Sequence, residues 1–431
     1  MAGDETMTQS SHLDTVGYAE LLLRNHDFRN LYVGRLISLF GGWFNLLALL
    51  ALLREIGGHS ASSFGAILIL KTLPMLIFSP QAGALADRVN RLRILWVADL
   101  VQAFIVFGML SMMWVPSVWL LYGLVIAQSA AASFFEPARG ALLPEIVSKR
   151  ELTAANALGA VSWSAMLTFG AALGGLFTAL VGWEWALVVD ACTFLVSMGF
   201  VLRIKKGGTP AETERGGSRD LSGLRSFREV FGYLKKRPQV ATLVMVKGAW
   251  SLAASTTLLL TLMGERVFPV GSSTVFSVTL FYVFRGVGTG VGPIVSRVLA
   301  KEDPARMERL IASSFALGAV FYAALAFAPV LPLALLCVLI AHIGGATAWV
   351  FSTVRLQQMV PNSIRGRVFA AENALFTVMI AVSTGAQGVL FDFEWVHPRQ
   401  MAMLIGLSLL CVSVASRIRG AVLGWGEADT P

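Results

Sequence analysis

The sequence predicts an all-α membrane protein of about twelve transmembrane helices, arranged as two six-helix bundles related by a parallel repeat. Three observations carry that expectation. Hydrophobic residues make up 56% of the chain and charged residues 14%, with a mean hydropathy of +0.69, against about 25% charged in soluble domains. The charges cluster, leaving stretches of roughly 18 to 25 residues nearly free of them, the length a helix needs to cross about 30 Å of hydrocarbon. The chain also resembles itself: Pro144, Arg150, Ala154 and Asn156-Ala157-Leu158 recur as Pro361, Arg367, Ala371 and Asn373-Ala374-Leu375, each pair 217 positions apart in 431. That period is too long for a solenoid unit and reads as one duplicated bundle. Two parallel repeats of about six spans, with a substrate site between them, are the plan of a large class of secondary transporters.

The uncharged stretches give the spans in order. In the first half they are Asn30–Leu53, Ser62–Leu85, Ile94–Val115, Ser117–Phe135, Asn156–Val181 and Trp185–Leu202. In the second they are Val240–Met263, Thr274–Val298, Leu310–Ala328, Leu331–Val354, Val368–Phe391 and Met401–Ser416. These segments are apolar all round, unlike the amphipathic helices of a soluble protein.

Charge sets the orientation. With the N-terminus inside, cytoplasmic loops hold 27 of the 34 Lys and Arg residues, and outer loops hold three, Arg54, Arg266 and Arg399. Both termini are therefore expected on the cytoplasmic side of a plasma (inner) membrane. The net charge of +8 reflects this topology and the anionic lipid of the inner leaflet, and no nucleic-acid partner is expected. No cleavable signal is expected before the first span, because residues Met1–Asp27 are polar. Cys192, Cys337 and Cys411 fall inside separate spans, with no metal spacing and no disulfide framework.

Three regions follow: a first bundle over residues 1–204, a cytoplasmic linker over 205–238, and a second bundle over 239–431. The linker begins as a low-complexity loop through Gly207-Gly208-Thr209-Pro210 to Ser218. It continues with Leu221, Leu224, Phe227, Phe231 and Leu234 at helical spacing among Arg225, Arg228, Lys235 and Lys236, the pattern of an amphipathic helix on the membrane surface.

The loop between the second and third spans carries Gly83, Leu85, Asp87, Arg88, Asn90, Arg91 and Arg93. Gly83 permits close helix approach, Asp87 suits a helix N-terminus or an arginine, and the arginines reach anionic partners. This pattern resembles the signature of the major facilitator superfamily, with Asn90 where glycine is usual. Asparagine tolerates the left-handed conformation that glycine supplies. Phe28-Arg29-Asn30-Leu31, Gly34-Arg35-Leu36-Ile37-Ser38, Pro137-Ala138-Arg139, Leu143-Pro144-Glu145 and the stretch Asp190 to Phe194 resemble the macrolide-efflux and enterobactin-exporter branch. The resemblance covers essentially the whole chain. It implies a monomeric exporter that moves a small molecule across the bilayer, usually driven by protons.

Proton antiporters of that superfamily carry a glycine-proline-rich motif in the fifth span. Here the stretch holds Gly170, Gly174 and Gly175, with alanine where proline is expected. The Gly170-xxx-Gly174 spacing still allows close helix approach. The eighth span offers Gly286, Gly288, Gly290 and Gly292 before Pro293. In the resembling fold these helices line the interface between halves, so the glycines are expected either to let them rock or to pack within one bundle.

Charges inside spans are costly unless paired or hydrated. Lys71 and Arg285 stand about halfway through equivalent helices, the second and eighth spans, with Gly288 217 positions after Lys71. They read either as contacts for an anionic substrate group or as structural partners of buried carboxylates, with Asp99 and Asp190 available in the first half. Lys247 in the seventh span is a further coupling candidate. Asp99 and Asp190 are candidates for proton carriage or for structural pairing. Glu136 and Glu372, near cytoplasmic helix ends, can latch an inner gate with Arg139, Arg365 or Arg367. His342, midway through the tenth span, either titrates in transport or packs through a hydrogen bond.

Enzyme signatures are lacking: the sequence has no nucleophile elbow, no phosphate-binding loop with its lysine and no His-Glu zinc pair. No cofactor or metal is expected. The reading that emerges is a proton-coupled exporter of an amphipathic small molecule such as a drug, siderophore or lipid-like metabolite. Uptake of an organic anion, an uncoupled lipid scramblase and a membrane-bound sensor are the alternatives.

Overall fold

A computed structural model describes residues 17–148, 151–207, 224–253, 256–270, 274–300 and 303–422, apart from some side chains within helices. The low-complexity stretch of the linker from Gly208 on and Leu221 lie outside the described residues, as do the side chains of Gly83, Asp87, Leu224, Arg225 and Phe227. A short α1 (Tyr18–Arg24) leads into α2 (His26–Glu55), α3 (Ala61–Arg88), α4 (Arg91–Met109), α5 (Val118–Ile146), α6 (Leu152–Val181) and α7 (Trp183–Val201). After the linker come α8 (Leu224–Lys236), α9 (Pro238–Ala253) and α10 (Thr256–Leu262), then α11 (Thr274–Ala300), α12 (Pro304–Phe327), α13 (Leu331–Met359), α14 (Asn362–Asp392) and α15 (Pro398–Val422). Among the described residues, eleven helices are long and apolar enough to cross a membrane. The fifth expected span is α6, whose Ala165–Val181 stretch is apolar but shorter.

Local chemistry sets the helix ends. Asn25, Ser60, Asn90 and Ser117 cap α2, α3, α4 and α5, each side-chain oxygen accepting a backbone N–H three residues on. Asn90 has φ −53°, so its place in the motif rests on capping and not on left-handed tolerance. The fourth span does not stop at Phe135; α5 continues through Pro137 and Pro144 to Ile146. Each proline removes one backbone donor, and the helix persists because its flanks are buried against neighbours. Gly182, at φ +108°, makes the turn from α6 into α7 that a side chain would resist. The seventh span holds α9, α10 and one π-helical turn, Met263–Val267, which carries Glu265.

Packing repeats between the halves. In the first, α2 packs on α6 and α7, α3 on α5, and α4 on α5 and α7. In the second, α9 packs on α14 and α15, α11 on α13, and α12 on α13 and α15, the same pairings one repeat later. The halves meet through α6 on α11 and through α3 on α14, again counterparts. Large apolar side chains such as Phe104, Trp119, Leu180 and Phe327 stand out on the periphery, where hydrocarbon is the solvent.

Candidate functional site

Four cations within the expected spans, Arg35, Lys71, Lys247 and Arg285, fall into distinct groups. A cavity of about 420 Å³ opens among α2, α3, α5 and α6, lined by Tyr32, Arg35, Met75, Glu136, Arg139 and Trp163 among others. Its polar wall is a network. Arg35 forms an ion pair with Glu136, and Arg139 donates to the other Glu136 oxygen from Nε and Nη2, both at 2.9 Å. Glu136 thus takes the expected partner Arg139, and also Arg35, so the network stays within one bundle. Arg35 was legible as one of the few cations inside a span. A second, smaller cavity of about 60 Å³ shares Arg35 and Glu136 and reaches Asp99 and Gln102. Asp99 is 1% exposed, and neither carboxylate oxygen has a hydrogen-bond partner.

Lys71 and Arg285 differ in their surroundings. Lys71 Nζ donates to Asn45 Oδ1 at 2.6 Å, and the fully buried Asp190 lies within electrostatic reach of it. Asn45 Nδ2 and both Asp190 oxygens lack hydrogen-bond partners. Gly41 makes room for this group: a Cβ there would stand 2.8 Å from Asp190 Oδ1. Lys71 therefore has a carboxylate of its own bundle nearby. Asn45 is missing from the sequence reading, although an amide inside an otherwise apolar run is its visible signal.

Arg285 sits among neutral groups. Its Nη1 donates to Thr257 Oγ1 at 2.8 Å, and its buried Nε has no acceptor. Tyr282 and Tyr322 face it. The Tyr282 hydroxyl bonds Thr261 at 2.8 Å, whereas the Tyr322 hydroxyl is enclosed without a partner. His342 is 5% exposed, with Nδ1 3.0 Å from the Val338 carbonyl and Nε2 3.5 Å from Thr256 Oγ1. Bonding to Val338 assigns a proton to Nδ1, and in the neutral ring Nε2 is then the acceptor. The Trp250 and Tyr322 rings flank the imidazole.

Lys247 and Glu372 form a buried pair at 3.0 Å, with Lys247 Nζ 4.6 Å from the centre of the Trp349 ring. Glu372 thus does not pair with Arg365 or Arg367. It lies about 7 to 11 Å along the helix from them and on the face turned to α9. Arg365 Nε instead donates to the Val360 carbonyl at 3.1 Å, and Arg367 pairs with Glu229 of the linker helix α8. Arg91 pairs with Glu145 across α4 and α5, while Arg88 is exposed at the end of α3. The counterpart hairpin carries the opposite signs, with Glu308 on α12 bonded to Arg355 on α13 at 2.6 Å.

The glycines divide by the surface they serve. Gly175 abuts Thr279 and Gly286 abuts Thr168, so these two sit in the α6–α11 seam between halves. Gly170 and Gly174 pack against Trp43 and Phe44 of α2, and Gly288 and Gly292 against α13. Those four belong to packing within a bundle. Gly290 has no neighbour within 4 Å of a Cβ placed on it.

The end of the bundle remote from the termini is closed by three further contacts that the sequence reading does not contain. Arg54 at the end of α2 pairs with Glu265 at 3.0 Å. Asp392, the last residue of α14, accepts from the backbone N–H groups of Ala61 (2.6 Å) and Ser62 (3.0 Å) at the start of α3. Trp43 of α2 meets the Tyr282 ring edge-on, centroids 6.2 Å apart. The large cavity, by contrast, lies towards the opposite end, beside Phe28 and Leu143.

Residues 31–384 match the Major Facilitator Superfamily. The chain is 24% identical over 358 residues to the "Putative bacilysin exporter BacE" of Bacillus subtilis (strain 168), covering 82% of this chain and 86% of the relative. It is 27% identical over 379 residues to the multidrug efflux pump Tap of Mycolicibacterium fortuitum, covering 82% and 87%. Among solved structures it is similar to a bacterial homologue of the iron transporter ferroportin in the inward-facing state, with TM-score 0.66, 14% identity, and 94% and 100% of the two chains covered. A D-xylose-proton symporter is similar with TM-score 0.68, 13% identity, and 93% and 97% covered. At these identities the structural likenesses establish the fold.

Proposed function

The chain belongs to the major facilitator superfamily and is an integral membrane transporter rather than an enzyme; from that premise we propose that it is a proton-coupled exporter of an amphipathic small molecule, working by alternating access. The observation that carries this reading is the asymmetry of the seam. Arg54–Glu265, Asp392 on α3 and the Gly175–Thr279 contact join the halves at one end, while the large cavity, lined by first-half residues alone, lies towards the other. With both termini cytoplasmic, this is the conformation that loads from inside. Residues 1–204 and 239–431 are the rocking units, and 205–238 tethers them.

The cavity supports an amphipathic cargo because leucine, methionine and aromatic surfaces surround one charged cluster. Asp99 and Asp190 are the proposed proton carriers: both are buried carboxylates, with Ser197 and Asn45 beside them but no well-formed hydrogen bond, and enclosure favours reversible protonation. The relatives named as an exporter and an efflux pump support outward direction. Everted vesicles from an efflux-deficient host, screened with a compound panel, test the proposal. Accumulation of at least one amphipathic compound that collapses on adding an uncoupler is expected. Uncoupler-insensitive movement defeats proton coupling, and no movement of any compound defeats the exporter reading.

A further inference from the structure

Among the described residues, the other cations inside the spans have a carboxylate beside them. Arg35 has Glu136, Lys247 has Glu372, and Lys71 has Asp190 within reach. Arg285 has none within ion-pair distance, and its described neighbours are hydroxyls, rings and one histidine. A guanidinium carries five N–H donors in a planar fork, and only the bond to Thr257 is formed. Nε is enclosed and unpartnered, while the residue as a whole is only half-buried. Beside it the Tyr322 hydroxyl, on a fully buried residue, has the Thr256 hydroxyl near it but makes no well-formed hydrogen bond.

We infer that Arg285 and the Tyr322 hydroxyl form a subsite for a carboxylate group of the transported molecule. This deepens the export reading and rests on it. Both groups are donors converging on one region, which suits an oxyanion with two acceptor oxygens. Charge selects the class. A neutral His342, enclosed beside the Arg285 cation, and neutral tyrosines leave the cluster one positive charge, which a carboxylate brings to zero. A phosphate carrying nearly two negative charges would leave an excess anion at the same depth, at a cost that a membrane interior makes severe. Tyr282, on the turn before Arg285, touches Trp43 of the other half. The subsite therefore lies at the seam where a cargo bound between halves is held.

The test uses purified full-length protein in nanodiscs and two fluorescent probes, N-dansyl-leucine and its methyl ester. Wild type is expected to bind the acid about tenfold tighter than the ester, the size of one charged hydrogen bond. Arg285→Gln should bring acid and ester to within about twofold of each other, Arg285→Lys should keep part of the preference, and Tyr322→Phe should weaken the acid alone by about threefold. A second readout separates binding from scaffolding. Removing an uncompensated buried cation leaves the melting temperature of the probe-free protein equal or higher, whereas loss of a structural arginine lowers it. Equal binding of acid and ester by wild type, no binding of either, or an intact acid preference in Arg285→Gln overturns the proposal. If Arg285→Gln does not fold, an unchanged acid preference in Tyr322→Phe overturns it. Nanodiscs impose no gradient or direction, so failure here leaves the vesicle result for export standing, and the reverse holds too.

Discussion

Arg54 and Glu265 form an ion pair at 3.0 Å that joins the two halves of the molecule at the end remote from the termini. Glu265 is nearly enclosed, with its side chain 5% exposed, and Arg54 is about one-third exposed at 29%. Glu265 sits in the π-helical turn that ends the seventh span, a local distortion that turns one carboxylate towards the other bundle.

Breaking this pair should loosen the closed end. In Glu265→Gln, a cysteine placed at Gly385, which is half-buried against α3, is expected to react faster with a membrane-impermeant thiol reagent than in the parent. The reversal Arg54→Glu with Glu265→Arg should return the rate towards the parent. A coupling energy of about 1 to 3 kcal/mol is the expected range for a partly buried charged pair. Unchanged labelling in Glu265→Gln would remove the pair from the gate.

Asp392 caps a helix that belongs to the other half. Its carboxylate meets the two leading N–H groups of α3, where the helix dipole favours negative charge. Asp392→Asn should keep the hydrogen-bond acceptor and lose the charge, whereas Asp392→Ala loses both, at a cost of about 1 kcal/mol. The order expected in melting temperature is wild type, then Asn, then Ala. An alanine variant as stable as wild type would count against the cap.

The seam glycines provide a steric test with an internal control. A Cβ at Gly286 would lie 2.6 Å from Thr168 Oγ1 and 2.8 Å from its Cα, too close to be accepted without separating α6 from α11. Gly286→Val is expected to leave folded protein in the membrane and reduce transport by tenfold or more, roughly the effect of about 1.4 kcal/mol or more against closure. Gly290→Ala meets open space and should behave as wild type. Similar activity in the two variants would show that the seam does not need to close here.

The Lys247–Glu372 pair is enclosed on both sides, with side chains 9% and 3% exposed. Removing one member strands the other, so Glu372→Gln or Lys247→Met should destabilise by about 3 to 5 kcal/mol, while the double variant Lys247→Met with Glu372→Met should recover most of the loss. Additive losses in a melting series would mean that the two charges act independently.

Much of the architecture is legible because membrane solvation writes itself into composition. Among the described residues, eleven of the twelve charge-poor stretches are helices long and apolar enough to cross a membrane, and the 217-residue repeat appears as two sets of matching helix pairings. Partners were harder to read. Glu136 could be matched with Arg139 from spacing on one helix, but Arg35 joins it from another. Glu372 was misassigned because Lys247 is 125 positions away, and no periodicity links residues across packed helices. Arg54–Glu265 and Asp392 escaped notice since charges at span ends look like ordinary loop residues until the halves are docked.

The hairpins α4–α5 and α12–α13 share a fold but exchange the signs of their ion pair: Arg91 with Glu145 in one, Glu308 with Arg355 in the other. A chain built from two similar bundles risks assembling a hairpin from mismatched halves while it emerges from synthesis. Here the α4–α13 hybrid is disfavoured, because α13 carries no carboxylate and Arg91 would forgo the ion pair that Glu145 gives it. The repeat does not superpose the two pairs, since Glu308 lies 217 positions after Arg91 and Arg355 lies 210 after Glu145, so each hairpin carries a partner choice of its own.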